Sequence, residues 1–200
     1  MLENLSPKEV QDLKNARLLY YDFFYGLFVF ELLDERVELA KKQLEILQNA
    51  PLNERSEASI LLLRQELQNN GIQNLKEEFS RLFALPFGGK QVGMHLSHYY
   101  ENCIGAESLL KMRALLKKSD VRVETKEFKE SEEHLGFLFG FMRHLIESEN
   151  TEFAEEVFAF IKDAYSGLIC EIRDREDAQY YLALADILEG FMEFERNLYA

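Results

Sequence analysis

Apolar residues recur at three- and four-residue spacing along most of the chain, which is the period of an amphipathic α-helix. The first predicted helix begins at Ser6. This serine can cap the helix, Pro7 suits its first turn, and Glu9 can close a capping box. The helix should run to about Leu33, and residues 18–33 are apolar on nearly every side. We therefore expect this helix to lie in the middle of the fold.

The same period predicts seven further helices, of which the second to fourth should each have one buried face and the sixth, apolar over a wide arc, should pack on more than one side. Their expected ranges are 35–49, 53–70, 73–84, 94–118, 131–147, 151–173 and 175–197. Segment 119–129 is polar and lacks the helical period, so we expect it to be the longest loop. No stretch alternates apolar and polar residues well enough to indicate a strand. The predicted fold is therefore all-α, a single-domain helical bundle of about eight or more helices spanning residues 1–200.

Composition supports a helical protein with a sizeable core. Hydrophobic residues make up 47% of the 200 residues, with only three prolines and ten glycines, which favours long helices. Cys103 and Cys170 form no CxxC motif, so we expect them to pack as small apolar side chains in a reducing compartment. The N-terminus has no leader pattern, and the apolar run at 23–30 is far shorter than the roughly 20 residues that span a bilayer. These features predict a cytoplasmic protein that is not embedded in a membrane.

The chain is strongly acidic, with a formal net charge of -13 from 36 acidic and 23 basic side chains. This excess argues against nucleic acid as a partner, because such binding depends on a basic patch that displaces counterions. A partner that carries basic residues would suit the charge. The solubility that an acidic surface confers is the simpler explanation of the same charge.

Motifs for catalysis are mostly missing from the sequence. No histidine has a glutamate three residues before it, which excludes the Glu-x-x-His pairs of ferritin-like di-iron bundles. There is no G-x-S-x-G, and the glycine-rich loop at 86–90 lacks the phosphate-binding spacing, so we expect an interhelical turn there. His95 and His98 could chelate a metal, but no third ligand accompanies them. We therefore expect neither enzyme activity nor a bound cofactor.

The most distinctive polar cluster lies at the start of the sixth predicted helix, at residues 130–134. Glu130 and His134 are four residues apart, so they should lie side by side on that helix. The helix dipole favours carboxylates at this end. One interpretation is a capped helix end with a satisfied histidine. The other is a fixed group of carboxylates and an imidazole that receives a basic or amide-rich peptide.

This cluster resembles the signature of the TorD/DmsD/NarJ family of cytoplasmic chaperones, which mature molybdenum or tungsten enzymes. The family motif is E-P-x-D-H at the start of a central helix, followed by a hydrophobic run. Glu130 and His134 match that motif, with Ser131 at the proline position and Glu133 at the aspartate position.

A second segment carries the same resemblance, which extends over essentially the whole chain. Family members have a proline-containing loop and then an S-x-Y element that opens the next helix. Here these are residues 86–90 and then Ser97-His98-Tyr99. The 97–101 and 129–134 segments look most like the branch associated with formate dehydrogenase. A chaperone for a dimethyl sulfoxide or trimethylamine N-oxide reductase is the alternative.

The resemblance implies a function and a site. Family members bind the apo form of a catalytic subunit, often through its twin-arginine signal peptide. They hold it until the molybdopterin guanine dinucleotide cofactor is inserted, and so prevent premature export. The implied peptide-binding residues are Ser97, Tyr99, Glu130, Glu133, His134 and Phe137. The implied rim of the groove is formed by Pro86, Phe87 and Gly88, with the 119–129 loop on another side.

Two other classes of function stay open from the residues alone. One is a helical interaction scaffold or regulatory domain without a molybdoenzyme client. The other is a metal- or nucleotide-dependent enzyme that uses the His95/His98 pair or the glycine-rich loop. The 119–129 segment could also act as a hinge for exchange of elements between two copies, which would give a homodimer.

Overall fold

The computed structural model describes residues 6–84, 89–123 and 128–199 of the chain. Within these ranges it contains nine α-helices and no β-strand, so the all-α prediction is confirmed. The helices are α1 (Pro7–Phe28), α2 (Val37–Leu47), α3 (Glu54–Asn69), α4 (Gln73–Phe79), α5 (Leu96–Glu101), α6 (Glu107–Lys117), α7 (Leu135–Glu147), α8 (Thr151–Arg173) and α9 (Tyr180–Leu198). A π-helical turn, Ser80–Ala84, continues α4.

Helix α1 begins as its sequence predicts and lies in the core. The Glu9 amide donates to the Ser6 hydroxyl at 3.3 Å, and the Ser6 amide donates to the Glu9 carboxylate at 2.7 Å, which completes the capping box. Its second half carries fully buried aromatic side chains. The helix ends at Phe28, five residues earlier than expected, because Val29 adopts an extended backbone before a 3₁₀ turn at Phe30–Leu32.

The centre of the fold is the crossing of α1 and α7. A β-carbon at Gly136 would lie 2.2 Å from the carbonyl oxygen of Phe28, so only glycine allows this approach of the two backbones. The ring of Phe139 then packs 5.2 Å from Phe24 and 4.4 Å from Tyr165 of α8. Helix α9 completes the core with Phe191, whose ring lies against α1.

The predicted fifth helix, 94–118, is wrong as a single element. The structure divides it into α5 and α6 at a turn where Asn102 and Gly105 both have left-handed backbones, with φ of 55° and 79°. The predicted start of the sixth helix at 131 is also wrong, because α7 begins at Leu135. Residue His134 is extended and pairs with His95 in an isolated antiparallel bridge, in which the Leu135 amide donates to Met94 at 2.8 Å.

The two cysteines do not pack in the core as expected. Cys103 and Cys170 are both free thiols with exposed side chains. Cys103 lies in the turn between α5 and α6, and Cys170 lies on the outer face of α8. In the described ranges, no helix combines the length and the apolar character needed to cross a membrane.

Candidate functional site

A groove of about 560 Å³ opens between the end of α4 and the segment 91–95 that leads into α5. We call it the α4–α5 groove. Its lining includes apolar side chains and a polar rim with two carboxylates, Glu31 and Glu130. Ala84 and Gln91, which stand on either side of the 85–88 segment, both line it.

The floor of this groove is an extension of the hydrophobic core. The ring of Phe79 lies 4.8 Å from Phe83 and 5.3 Å from Phe30, and Phe83 lies 5.0 Å from the buried Tyr181. Phe30 is nevertheless 41% exposed, and Ile104 at the edge of the groove is 70% exposed. Exposed apolar side chains around a concave surface indicate a binding site for an apolar partner.

A buried carboxylate stabilises the segments that form one side of the groove. Glu133 is fully buried, and it accepts hydrogen bonds from the Ser97 amide and hydroxyl, both at 2.8 Å, and from the Gly105 amide at 3.0 Å. These bonds tie the segment before α7 to the first turn of α5 and to the turn that carries Ile104. Ser97 is also fully buried.

Ser97 and Glu133, which we predicted to contact a peptide, are not among the residues that line the groove. Their polar atoms bond to each other, and neither side chain is exposed to solvent. We therefore assign them a positioning role beneath the groove. This difference could not be predicted, because the spacing of carboxylates along the chain does not distinguish buried ones from exposed ones.

His134 and Glu130 both line the α4–α5 groove, although not as neighbours on one helix. Because α7 begins after His134, Glu130 instead approaches His95, with 3.3 Å between its carboxylate and Nε2. The His134 ring lies edge-on to His95, with 5.4 Å between the ring centres. Burial, and secondly the proximity of His95, lower the pKa of His134 to about 3, so its imidazole is neutral. Its Nδ1 is buried without a hydrogen-bond partner among the described residues.

A model of the nitrate reductase delta subunit family matches residues 49–193, which is most of the chain and runs from before α3 into α9. The chain belongs to this family. It is a family of molybdoenzyme maturation chaperones of the NarJ/TorD type, and its members act as maturation factors rather than catalysts. Comparisons with curated proteins and with solved structures gave no match.

Of the other implied site residues of this NarJ/TorD-type chaperone, Tyr99 and Phe137 do not line the groove, and three lie outside the described ranges. The Tyr99 hydroxyl donates to the Gly93 carbonyl at 2.7 Å, and its ring packs against Gly167 of α8. Burial raises the pKa of Tyr99. Phe137 stacks on Phe128 at 5.8 Å, and the Phe128 ring lies 5.5 Å from that of His134, which lines the groove. Pro86, Phe87 and Gly88 fall outside the described residues.

The two histidines considered as metal ligands have different partners. His95 approaches Glu130, whereas His98 Nε2 lies 3.1 Å from both oxygens of Glu171 on α8. Glu171 also accepts from the Gly93 amide at 2.9 Å and from Lys90 at 2.7 Å. Burial opposes its ionisation, but these bonds outweigh burial and hold the pKa of Glu171 below its ordinary value. Within the described part of the chain, no group of three or more acidic, histidine or cysteine side chains could hold a metal ion.

Several residues of the groove were missed at the sequence level. Phe79 and Phe83 are four residues apart, which is the spacing of any buried helix face. Phe30 and Glu31 were expected inside the first helix, and only the break at Val29 brings them to the groove. Among these residues, only Ile104 had a local sequence signal, because it precedes Gly105 and glycine favours a turn.

Proposed function

We propose that this chaperone binds the twin-arginine leader of an apo catalytic subunit in the α4–α5 groove. The observation that carries the proposal is the combination of exposed apolar side chains with carboxylates at the rim. A leader has a basic n-region followed by an apolar h-region. The h-region would lie over Phe30 and Ile104, and an arginine would reach Glu31 or Glu130. Apolar burial would supply most of the affinity, and the charges would orient the peptide.

The client is proposed to be a molybdenum or tungsten oxidoreductase. Formate dehydrogenase is the first candidate, on the resemblance of the 97–101 and 129–134 segments, and a dimethyl sulfoxide or trimethylamine N-oxide reductase is the second. Leader binding in the cytoplasm would delay export until the molybdopterin guanine dinucleotide cofactor is inserted. A carboxylate-rimmed apolar groove supports recognition of the polypeptide. This support does not involve the cofactor.

We further propose that residues 1–200 act as one domain. The support is that α1, which precedes the range of the family match, shares one continuous core with the helices inside that range. Formation of a homodimer by exchange of elements through segment 119–129 stays a prediction, and residues 124–127 of that segment lie outside the described ranges.

Shortening one exposed side chain at the groove should weaken leader binding. We expect Ile104→Ala to lower the affinity for a formate dehydrogenase leader peptide roughly fivefold, because about 1 kcal/mol of apolar contact is lost. Isothermal titration calorimetry measures this change. The matched control is Leu110→Ala, since Leu110 is 65% exposed and lies on α6 outside the groove. Equal affinities for the two variants would place the leader elsewhere.

Leader binding should also depend on salt. Raising sodium chloride from about 50 mM to about 500 mM should weaken binding roughly threefold to tenfold, because salt screens the attraction between the leader's arginines and the rim carboxylates. The double variant Glu31→Gln/Glu130→Gln should lose most of this salt dependence. An affinity that does not change with salt in the unmodified protein would remove the electrostatic part of the proposal and leave the apolar part.

A further inference from the structure

A second groove, also of about 560 Å³, lies between α5, α6 and α8 and shares no lining residue with the first. We call it the α6–α8 groove. Aromatic side chains form part of its lining: the rings of Tyr100 and Phe160 lie 5.8 Å apart, and the Tyr100 hydroxyl donates to the Phe160 carbonyl at 2.5 Å. Tyr100 is exposed and Phe160 is partly buried, so both rings are available at the surface.

The charge around these rings is mostly negative. Four carboxylates line the groove, those of Glu101, Glu107, Glu156 and Asp163, against the single cation of Lys111. Glu156 is paired with Lys118 at 2.7 Å. Glu107 and Asp163 are exposed and form no ion pair within the described ranges. The groove therefore has two exposed carboxylates, without an ion-pair partner in the described ranges, beside an aromatic surface.

Glu101 adds a buried acceptor to this groove. One of its oxygens accepts from the Ser108 hydroxyl at 2.6 Å. The other oxygen, Oε2, is buried and has no hydrogen-bond partner among the described residues. An unpaired buried acceptor is costly, and an N–H group of an incoming cation would remove that cost.

Lys111 shows how the groove accommodates a cation. Its ammonium group lies 4.0 Å from the centre of the Phe160 ring, which is the geometry of a cation–π contact. No carboxylate within the described ranges lies close enough to form a salt bridge with Lys111. The aromatic face, rather than a fixed ion pair, is therefore what this ammonium group contacts.

We propose that the α6–α8 groove is a second docking site, and that it takes a basic segment of a partner protein. An arginine or lysine of that segment stacks on Phe160 in place of Lys111, and Glu107 and Asp163 flank it. Arginine suits the site better, because its planar guanidinium stacks on an aromatic ring and still donates to carboxylates. An apolar neighbour of that cation covers the exposed edge of Tyr100. This site is separate from leader binding and does not depend on it.

The first test uses a short fluorescein-labelled peptide in which arginine and leucine residues recur at three- and four-residue spacing. Fluorescence anisotropy measures its binding. Glu107→Gln/Asp163→Asn should weaken binding roughly threefold to tenfold, since two exposed charge contacts are lost. The matched control is Glu45→Gln/Glu152→Gln, which gives the same net charge and lies outside both grooves. Equal affinities for the two double variants would overturn the proposal, as would a loss of binding in Ile104→Ala, which would place the probe in the α4–α5 groove.

The second test uses the internal cation. Lys111→Gln should tighten binding of the same peptide about twofold to fivefold, because the face of Phe160 becomes free. Lys117→Gln on the same helix makes the same change of charge outside the groove and is the control. Tighter binding in Lys111→Gln alone supports the proposal. Equal affinities for the two lysine variants would contradict the proposal. Neither result bears on leader binding in the α4–α5 groove.

Discussion

Replacing Glu133 by alanine is expected to lower the free energy of unfolding by about 3 kcal/mol, because the loss of a buried charged acceptor leaves its donors unpaired. Three donors depend on this carboxylate, namely the amide and hydroxyl of Ser97 and the amide of Gly105. The turn that carries Ile104 should lose its fixed position at the same time. Leader affinity should therefore fall even though Glu133 does not touch the leader.

The adjacent Glu132 provides a matched control for this prediction. Its carboxylate lies 3.1 Å from Nε of Arg113 at an exposed position, so Glu132→Ala should cost less than about 1 kcal/mol. Urea unfolding of the two variants measures the difference. Similar stabilities for the two variants would show that the buried hydrogen bonds of Glu133 contribute little. Leader affinity should then be compared at a temperature where both variants are folded.

The second large effect is expected at the buried ion pair that joins the first and last helices. Glu195 of α9 is fully buried, and Arg17 of α1 donates to both of its oxygens, at 2.7 and 2.8 Å. The Tyr21 hydroxyl donates to the same carboxylate at 2.8 Å. We expect Glu195→Ala to lower the free energy of unfolding by about 3 to 5 kcal/mol, because the Arg17 guanidinium is left largely buried and unpaired.

A double variant separates loss of pairing from loss of packing. Arg17→Met/Glu195→Leu removes both charges and keeps apolar volume, so it should regain part of the stability lost in Glu195→Ala, although the buried Tyr21 hydroxyl loses its acceptor in both variants. Lys14→Ala on the same helix breaks the more exposed pair with Glu149 and should cost less than about 1 kcal/mol. Thermal or urea unfolding of the three variants measures their relative stabilities. If the double variant were no more stable than Glu195→Ala, the unpaired charge of Arg17 would not account for the effect.

Most of the fold could be predicted from the sequence because most of its helices are amphipathic, and α1 and α3 also have side-chain N-caps at Ser6 and Asn53. The errors fall where tertiary partners decide the backbone. Residues 131–134 continue the helical pattern, but 132–133 form a turn and His134 is extended in its bridge with His95. The division of the predicted fifth helix has a similar cause, since the Gly105 amide bonds to Glu133 instead of continuing a helix.

The candidate site was predicted less completely than the fold. The family motif pointed to residues 130–134, of which Glu130 and His134 line the α4–α5 groove. The motif could not show which carboxylates are buried, because the burial of Glu133 depends on contacts with α5, which is distant in the sequence. Nor could spacing reveal that Phe79 forms part of a surface groove, since this depends on the break after α1.

The crossing at Gly136 has a consequence for where this protein can be divided. The family match begins at residue 49, yet the backbone of α1 at Phe28 contacts α7 directly. Arg17 and Glu195, which join α1 to α9, both lie outside the matched range. A fragment limited to 49–193 would leave the apolar face of α7 bare and would be prone to aggregate. The segment that the family model matches is therefore shorter than the unit that we expect to fold cooperatively.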